Sequence, residues 1–369
     1  MSGMSIWDQG DGLLDLVDIF LPGIDEESHS ATDYPVLEPT EECGLQDRMG
    51  EIISQLSNIH NSISRGHALE QECFNIRLAE SVFTVTNLKH FVWAFFSGFY
   101  RYLPIIHRPT FDSEHTSLPL LLAVFLIGSV HSAPKDPAIS ARSFFDLAEE
   151  YIFNHNTFRG LLEVDRGGEV SVEEIEILQA AIIILAIQIS KDDVTTRRRI
   201  RLERCPCLIV AVRLCKLFGT SHHPLGQDVS GTNWLEFIST ETRLRYGCLF
   251  DAIHKVAATE DYRIGVYTFL MDCMIAYFFN CHPQVAVSEM VGDFPCQDEL
   301  FEANAALAFN EIALRAPSGP LPRSPSDFIS FLLRKPAPTS LDRMHENITA
   351  AHLRIVILGP LMCNLNRNN

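Results

Sequence analysis

Paired cysteines are missing from this chain. No two of its ten cysteines, at 43, 73, 205, 207, 215, 248, 273, 281, 296 and 363, stand three or five positions apart. Those are the separations at which one turn presents two sulfurs to a tetrahedral zinc ion. The closest pair, Cys205 and Cys207, is split by Pro206 and has no complementary pair downstream. No zinc finger or zinc cluster is therefore expected in these residues, and most of the cysteines read as reduced thiols in apolar stretches. Long apolar runs are missing too. Pro119 to Val130 and Ala180 to Ile189 fall short of the roughly 18 to 20 residues needed to span a bilayer, so both read as buried helices. The start of the chain has no basic region ahead of an apolar one, the first basic residue being Arg48, which points to an intracellular protein. Catalytic motifs are equally scarce: no G-x-S-x-G elbow, no phosphate-cradling loop and no dinucleotide fingerprint occurs. His345-Glu346 begins a zinc-helix pattern, but the next turn carries Thr349 instead of histidine. No enzyme activity and no cofactor are expected.

Positive charge is the next scarcity. Twenty-nine basic residues face 47 acidic ones for a net charge of −18, and residues 1–47 hold twelve acidic groups with no lysine or arginine. The rest of the chain is then only −6. A general attraction to nucleic acid or anionic lipid is not expected, so no membrane partner is expected and any DNA contact has to be local or, on the reading adopted, indirect through a partner. Within the tail, Asp11 to Leu21 has helical geometry at about 100° per residue. Leu13, Leu14, Leu16, Val17, Phe20 and Leu21 share one face and Asp11, Asp15 and Asp18 the other, and Pro22-Gly23 ends the run. An acidic, aromatic-containing element in a tail too polar to bury a core resembles a disordered activation segment that folds onto a coactivator groove. Trp7, Leu13, Leu14, Leu16, Val17 and Phe20 would make that contact. The alternative is a helix that docks on its own domain.

The 369 residues, 47% hydrophobic, suffice for two domains or one large helical one. From about Gln46 the apolar spacing is helical almost throughout, without the alternation of a sheet. Helices are expected over Ile52–Ile63, Asn87–Leu103, Leu118–Val130, Ala141–Phe158, Val172–Ile189, Thr195–Phe218, Trp234–Phe250, Val266–Cys281, Gln297–Leu314 and Leu341–Leu358. Six prolines between 316 and 340 mark a linker interrupted by a short helix, Ser326–Arg334. The reading is an all-α, multi-helix regulatory domain behind a disordered acidic N-terminal tail. Its parts are a tail at 1–47, a helical linker at 48–86, a body at 87–315, the proline-rich linker at 316–340 and a terminal helix at 341–369. The strong basic cluster, Arg197 to Arg204, places Arg197, Arg201 and Arg204 on one helical face. It reads chiefly as a solvated helix start capped by Thr195 or Thr196 and kinked by Pro206, and secondarily as a grip for phosphate or for an acidic segment such as the chain's own tail.

One string is distinctive: Phe95-Phe-Ser-Gly-Phe-Tyr-Arg-Tyr-Leu-Pro-Ile-Ile-His-Arg-Pro-Thr-Phe111. Pro104 and Pro109 disfavour helix at Leu103 and Arg108, so the segment runs extended and Ile105, Ile106 and Phe111 can plug a core. His107 has no metal-ligand companion nearby and reads as a buried hydrogen-bonding residue. The string, with Phe99, Pro104, His107, Pro109 and Phe111, resembles the opening signature of the fungal-specific transcription factor domain, the helical regulatory region of fungal zinc-cluster and Cys2His2 regulators. Leu217-Phe218-Gly219 resembles that family's short turn after an arginine-containing helix. Trp234, Glu241, Arg243 and Arg245 resemble its W…E-x-R-x-R helix, and Phe269 to Asp272 its F-x-x-D. Pro283, Glu289 and Phe294-Pro295-Cys296 follow in the family's order, with Phe301-Glu302 where Trp-Glu is usual.

Two departures qualify the likeness. About 246–266 is interposed ahead of the F-x-x-D helix, and the zinc module through which family members read DNA has no counterpart in these residues. The resemblance implies a nuclear regulator of RNA polymerase II genes, a specialised-metabolite gene cluster being a common setting. Its expected partners are a transcriptional coactivator or a finger-containing transcription factor subunit, with a small-molecule effector as a further role. A finger-less module that sequesters a full-length regulator is the second reading.

Overall fold

The structure, a computed structural model, describes residues 39–66, 73–219 apart from 134, 164–169 and 192, 262–315 apart from 280, 293 and 297, and 324–333. All regular structure among these residues is helical, the short α2 (Ile76–Val82) and α5 (Asp136–Ala141) included. The acidic segment 11–21, the Trp234 to Arg245 motif and the terminal helix 341–369 lie outside them. The first helix, α1 (Pro39–Gly66), starts ahead of the expected end of the tail, and Leu45 and Met49 on it are already buried. The apolar spacing of Leu45, Met49, Ile52 and Leu56 continues one helical face upstream, so the polar tail is shorter than its charge pattern implied.

Two apolar helices form the centre. In α4 (Leu118–Val130) every residue from Pro119 to Ser129 is buried. In α8 (Val172–Ile189) Ile175, Ile177 to Leu185 and Ile187 to Ile189 are buried as well. A helix apolar on all sides has to be surrounded, and the two pack on each other within a shell of α1, α3 (Val85–Ala94), α6 (Phe145–Asn154) and α11 (Tyr262–Phe278). Each fully buried Leu, Ile or Phe contributes roughly 1.5 to 3 kcal/mol. The entry of α8 is fixed by a capping box, Ser171 with Glu174. The entry of α4 is held by Glu176, whose Oε2 accepts the Ser117 N–H at 2.7 Å.

Four expected helices are segmented: Asn87–Leu103 passes from α3 into a π turn over Phe95–Phe99 and a 3-10 turn over Tyr100–Tyr102, and Gln297–Leu314 breaks into α12 (Asp298–Phe301) and α13 (Ala306–Arg315). Ala141–Phe158 divides at Arg142–Phe144 and again at His155 into α6 and the short α7 (Asn156–Gly160). Thr195–Phe218 runs as α9 (Val194–Arg199), a π-helical turn over Ile200–Arg204 and α10 (Cys205–Leu214). Pro206 has no N–H and its ring crowds the carbonyl four residues back, and the wider turn just ahead of it absorbs the misfit that a sharp kink would otherwise take. The cap is Asp193, which accepts the N–H groups of Thr195 and Thr196, instead of either threonine. Arg108–Thr110, expected to be extended, makes a single 3-10 turn with Pro109 in its first positions.

Helices α3 and α4 touch backbone to backbone at Gly128, where an added Cβ would lie 1.9 Å from the Phe91 carbonyl oxygen. No side-chain rotation relieves that clash. Gly128→Ala should therefore lower stability by about 3 kcal/mol, the upper end for overpacking, read as a lower urea midpoint by circular dichroism; an unchanged midpoint would show that the helices separate freely.

Candidate functional site

The distinctive string is held in place by one buried cation. Arg263 is 1% exposed and among the largest fully buried side chains of the protein. Its Nη1 donates to the Pro104 carbonyl at 3.1 Å and to Asp298 at 3.3 Å, and its Nη2 donates to the Cys296 carbonyl at 3.2 Å. The guanidinium lies over the Phe301 ring, 3.8 Å from its centroid. One planar group thus joins the string, the Phe294-Pro295-Cys296 element and α12 (Asp298–Phe301) to the start of α11. A second tie comes from the core, where Gln179 Nε2 of α8 donates to the Ile105 carbonyl at 2.6 Å. His107 packs edge-on against Phe301, centroids 5.3 Å apart, with Nδ1 2.8 Å from the Thr110 hydroxyl. Burial pulls its pKa down to about 4, against weaker support from the Ala303 and Phe301 carbonyls, so the ring is neutral near pH 7.

A second buried charge sits at the far end of α11. Asp272 Oδ2 accepts the N–H groups of Gln284 at 2.6 Å and Val285 at 2.7 Å, which pins the loop around Pro283. Burial raises its pKa to about 6 despite those donors. The same loop is caught from α10, where Arg213 donates to Glu289 at 2.7 and 2.9 Å and to the Gln284 carbonyl at 2.6 Å. Leu217–Gly219 follows Lys216, whose φ of 60° places it in the left-handed region that closes a helix. That turn abuts Gly265, where a Cβ would fall 2.3 Å from the Leu217 carbonyl oxygen.

The arginine run has a different geometry from the single face its spacing implied. The π turn swings Arg204 inward, where it meets Glu149 at 2.7 Å and Glu150 at 2.7 Å and lies over the Phe153 ring. Arg199 grips both oxygens of Glu149 through two 2.7 Å bonds and shares Oε1 with Arg204. Glu149 is 0% exposed, so the two guanidinium groups are what allow its charge to be buried. Arg197 donates to the Lys191 carbonyl at 3.2 Å and Arg201 is half-buried, while Arg198 and Leu202 face outward.

Of the other motif residues, Phe99, Pro104, Asp272 and Pro295 are buried, Phe111 and Pro283 are half-buried, and Pro109 is exposed. Phe99 lies against His131 and Phe111 against Phe96, with centroids 5.0 and 5.2 Å apart. Trp234, Glu241, Arg243 and Arg245, like Trp7, Leu13, Leu14, Leu16, Val17 and Phe20, lie outside the described residues. Sequence reasoning missed Arg263, Arg199, Glu149 and Gln179. The signal for Arg263 was a lone charge beside the apolar run Ile264 to Leu270, in a stretch read as an interposed segment; residues 263–266 are in fact buried core. Among the described residues, no three His, Cys, Asp or Glu side chains converge to hold a metal, and no helix is long and apolar enough to cross a membrane.

A family model described as Fungal specific transcription factor domain matches residues 93–335, from just before the string to the helix α14 (Pro325–Leu333). A curated relative, Transcription factor verF of Penicillium polonicum, is 24% identical over 226 residues, which is 61% of this chain and 29% of that protein. The chain thus spans less than a third of the length of the relative it matches. No solved structure matches it.

Two outcomes are expected from the clamp. Arg263→Lys keeps the charge but loses the planar fork, and should destabilise the protein by about 3 kcal/mol, measured as a urea midpoint shift. His107 titrates near 6.5 when unfolded and at about 4 when folded. Its contribution is complete above pH 6.5 and declines as pH falls toward 4, because the unfolded chain binds the extra proton in that window. The decline between pH 7 and pH 5 amounts to about 2 kcal/mol. Asp272, raised when folded, works in the opposite direction. His107→Gln should therefore flatten the fall in unfolding free energy between pH 7 and pH 5 by about that amount, and an unchanged slope would refute the assignment.

Proposed function

The chain belongs to the Fungal specific transcription factor domain family, and from that membership we propose that it regulates RNA polymerase II genes in the nucleus through protein contacts. Residues 1–47 act as the activation segment, with Trp7, Leu13, Leu14, Leu16, Val17 and Phe20 as apolar anchors for a coactivator. The helical body gates that contact or pairs with another regulator. DNA is reached indirectly, through a finger-containing subunit or a zinc module outside these residues. The observation that best supports this reading is where the positive charge goes. Arg199, Arg204 and Arg213 are spent on Glu149, Glu150 and Glu289, and Arg263 on buried carbonyls and Asp298. The chain beyond residue 47 is also net −6, which disfavours gathering the roughly 6 to 10 phosphate contacts that useful DNA affinity requires. A specialised-metabolite gene cluster as target, and a small-molecule effector, extend the proposal by family resemblance alone. The second reading, a module that sequesters a full-length regulator, draws on the same helical body and acidic tail.

The two readings separate in one assay. Fused to an unrelated DNA-binding domain, residues 1–47 should activate a reporter, and so should the full chain wherever a coactivator reaches the segment. Leu13→Ala with Phe20→Ala should lower that activity about tenfold or more, because each buried anchor is worth about 1 to 3 kcal/mol. Asp15→Ala should weaken it only partly, since charge mainly aids encounter. A fusion that never activates would favour sequestration, and a fully active double variant would remove the tail from the mechanism.

A further inference from the structure

The outward face of the helix running through α9, the π turn and α10 has no partner among the described residues. Val194 is 79% exposed, Leu202 53% and Val210 43%, and Arg198 is exposed between the first two. Positions four apart drift by about 40° per step around a regular helix, which would scatter these residues over more than a third of its circumference. The wider π turn takes up less angle per residue, and so returns Leu202 close to the line of Val194 and Arg198. The device that turns Arg204 inward to Glu149 therefore also keeps the apolar residues in one outward stripe.

The charges around that stripe are mostly positive. Arg197 and Arg201 flank it half-buried, Arg198 lies within it, and Lys216 is exposed beyond it. Glu203 is the exposed acid on the same stretch, Asp193 is engaged in the cap and Glu289 is paired with Arg213. Exposed apolar residues set among arginines call for an occupant with an apolar face to cover Val194 and Leu202, in a stretch that is acidic overall and without basic residues. Segment 11–21 of this chain has that pattern, with Leu13, Leu16, Val17 and Phe20 opposite Asp11, Asp15 and Asp18, inside 47 residues that lack lysine and arginine. The lengths agree as well. Val194 to Leu202 and Leu13 to Leu21 each span eight steps, about 12 Å as helix.

We propose that the Val194–Arg198–Leu202 stripe is the docking surface for the chain's own acidic segment 11–21. Docking covers the anchors that would otherwise meet a coactivator, so the segment is masked until a competitor displaces it. The masking consequence rests on the activation reading above; the docking itself does not.

The test uses the purified full chain with p-benzoylphenylalanine in place of Phe20, irradiated at high dilution and mapped by mass spectrometry. The expected result is crosslinking within one chain to peptides from 194–210. Arg198→Glu with Leu202→Asp, both at exposed positions, should lower that yield about tenfold, the equivalent of about 1.4 kcal/mol, while the circular dichroism spectrum and thermal midpoint stay unchanged. Crosslinks to another part of the body, an absence of crosslinks, or a yield indifferent to the stripe variants would each overturn the proposal. Crosslinks only between two chains would also overturn it and assign the stripe to self-association. Should crosslinking hold while the reporter fusion stays silent with the stripe variants present, the docking stands and the activation reading fails.

Discussion

A guanidinium withdrawn from water keeps its charge and must be given acceptors on every side it presents. Arg263 is in that position, and its acceptors come from two stretches far apart in sequence: the Pro104 carbonyl on one, the Cys296 carbonyl and the Asp298 carboxylate on the other. Because the cost of leaving it unmet is several kcal/mol, those stretches are obliged to meet wherever the start of α11 goes. The extended path of 103–107, the contacts of Phe301 with Arg263 and His107, and the contact of Leu217 with Gly265 all accompany that one placement.

The same economy recurs at the other buried charges. Glu149 is paid for by Arg199 and Arg204, and Asp272 is satisfied by two backbone N–H groups of the Pro283 loop. These contacts bridge elements instead of decorating a surface, so the irregular segments between helices are positioned as firmly as the helices. They also use up arginines that a composition count would have left free for a nucleic-acid partner. An acidic protein that invests its cations internally is better suited to protein contacts than to phosphate.

Membership of a transcription factor family and this charge distribution point the same way. Among the described residues the apolar, arginine-lined stripe is an outward feature whose pattern mirrors another part of the chain, and a π turn ahead of Pro206 keeps its four-residue spacing in phase. Regulation and folding would then share a single local irregularity.

By itself the sequence determined the helical class, since three- and four-residue apolar spacing over most of its length leaves no other regular structure able to bury it. It also made the string 95–111 recognisable, because two prolines and a run of aromatics constrain the backbone locally. Local signals of that kind need no knowledge of distant residues. Only the tertiary structure decided that Arg263, in a stretch that looked interposed, is the buried clamp, and that Arg204 belongs to Glu149 instead of an open basic face. A side chain's charge is visible in sequence, but its partner depends on which helices cross, and no spacing within one helix encodes that. The π turn ahead of Pro206 belongs to the same class: sequence announces a misfit there, whereas packing chooses between a kink and a widened turn.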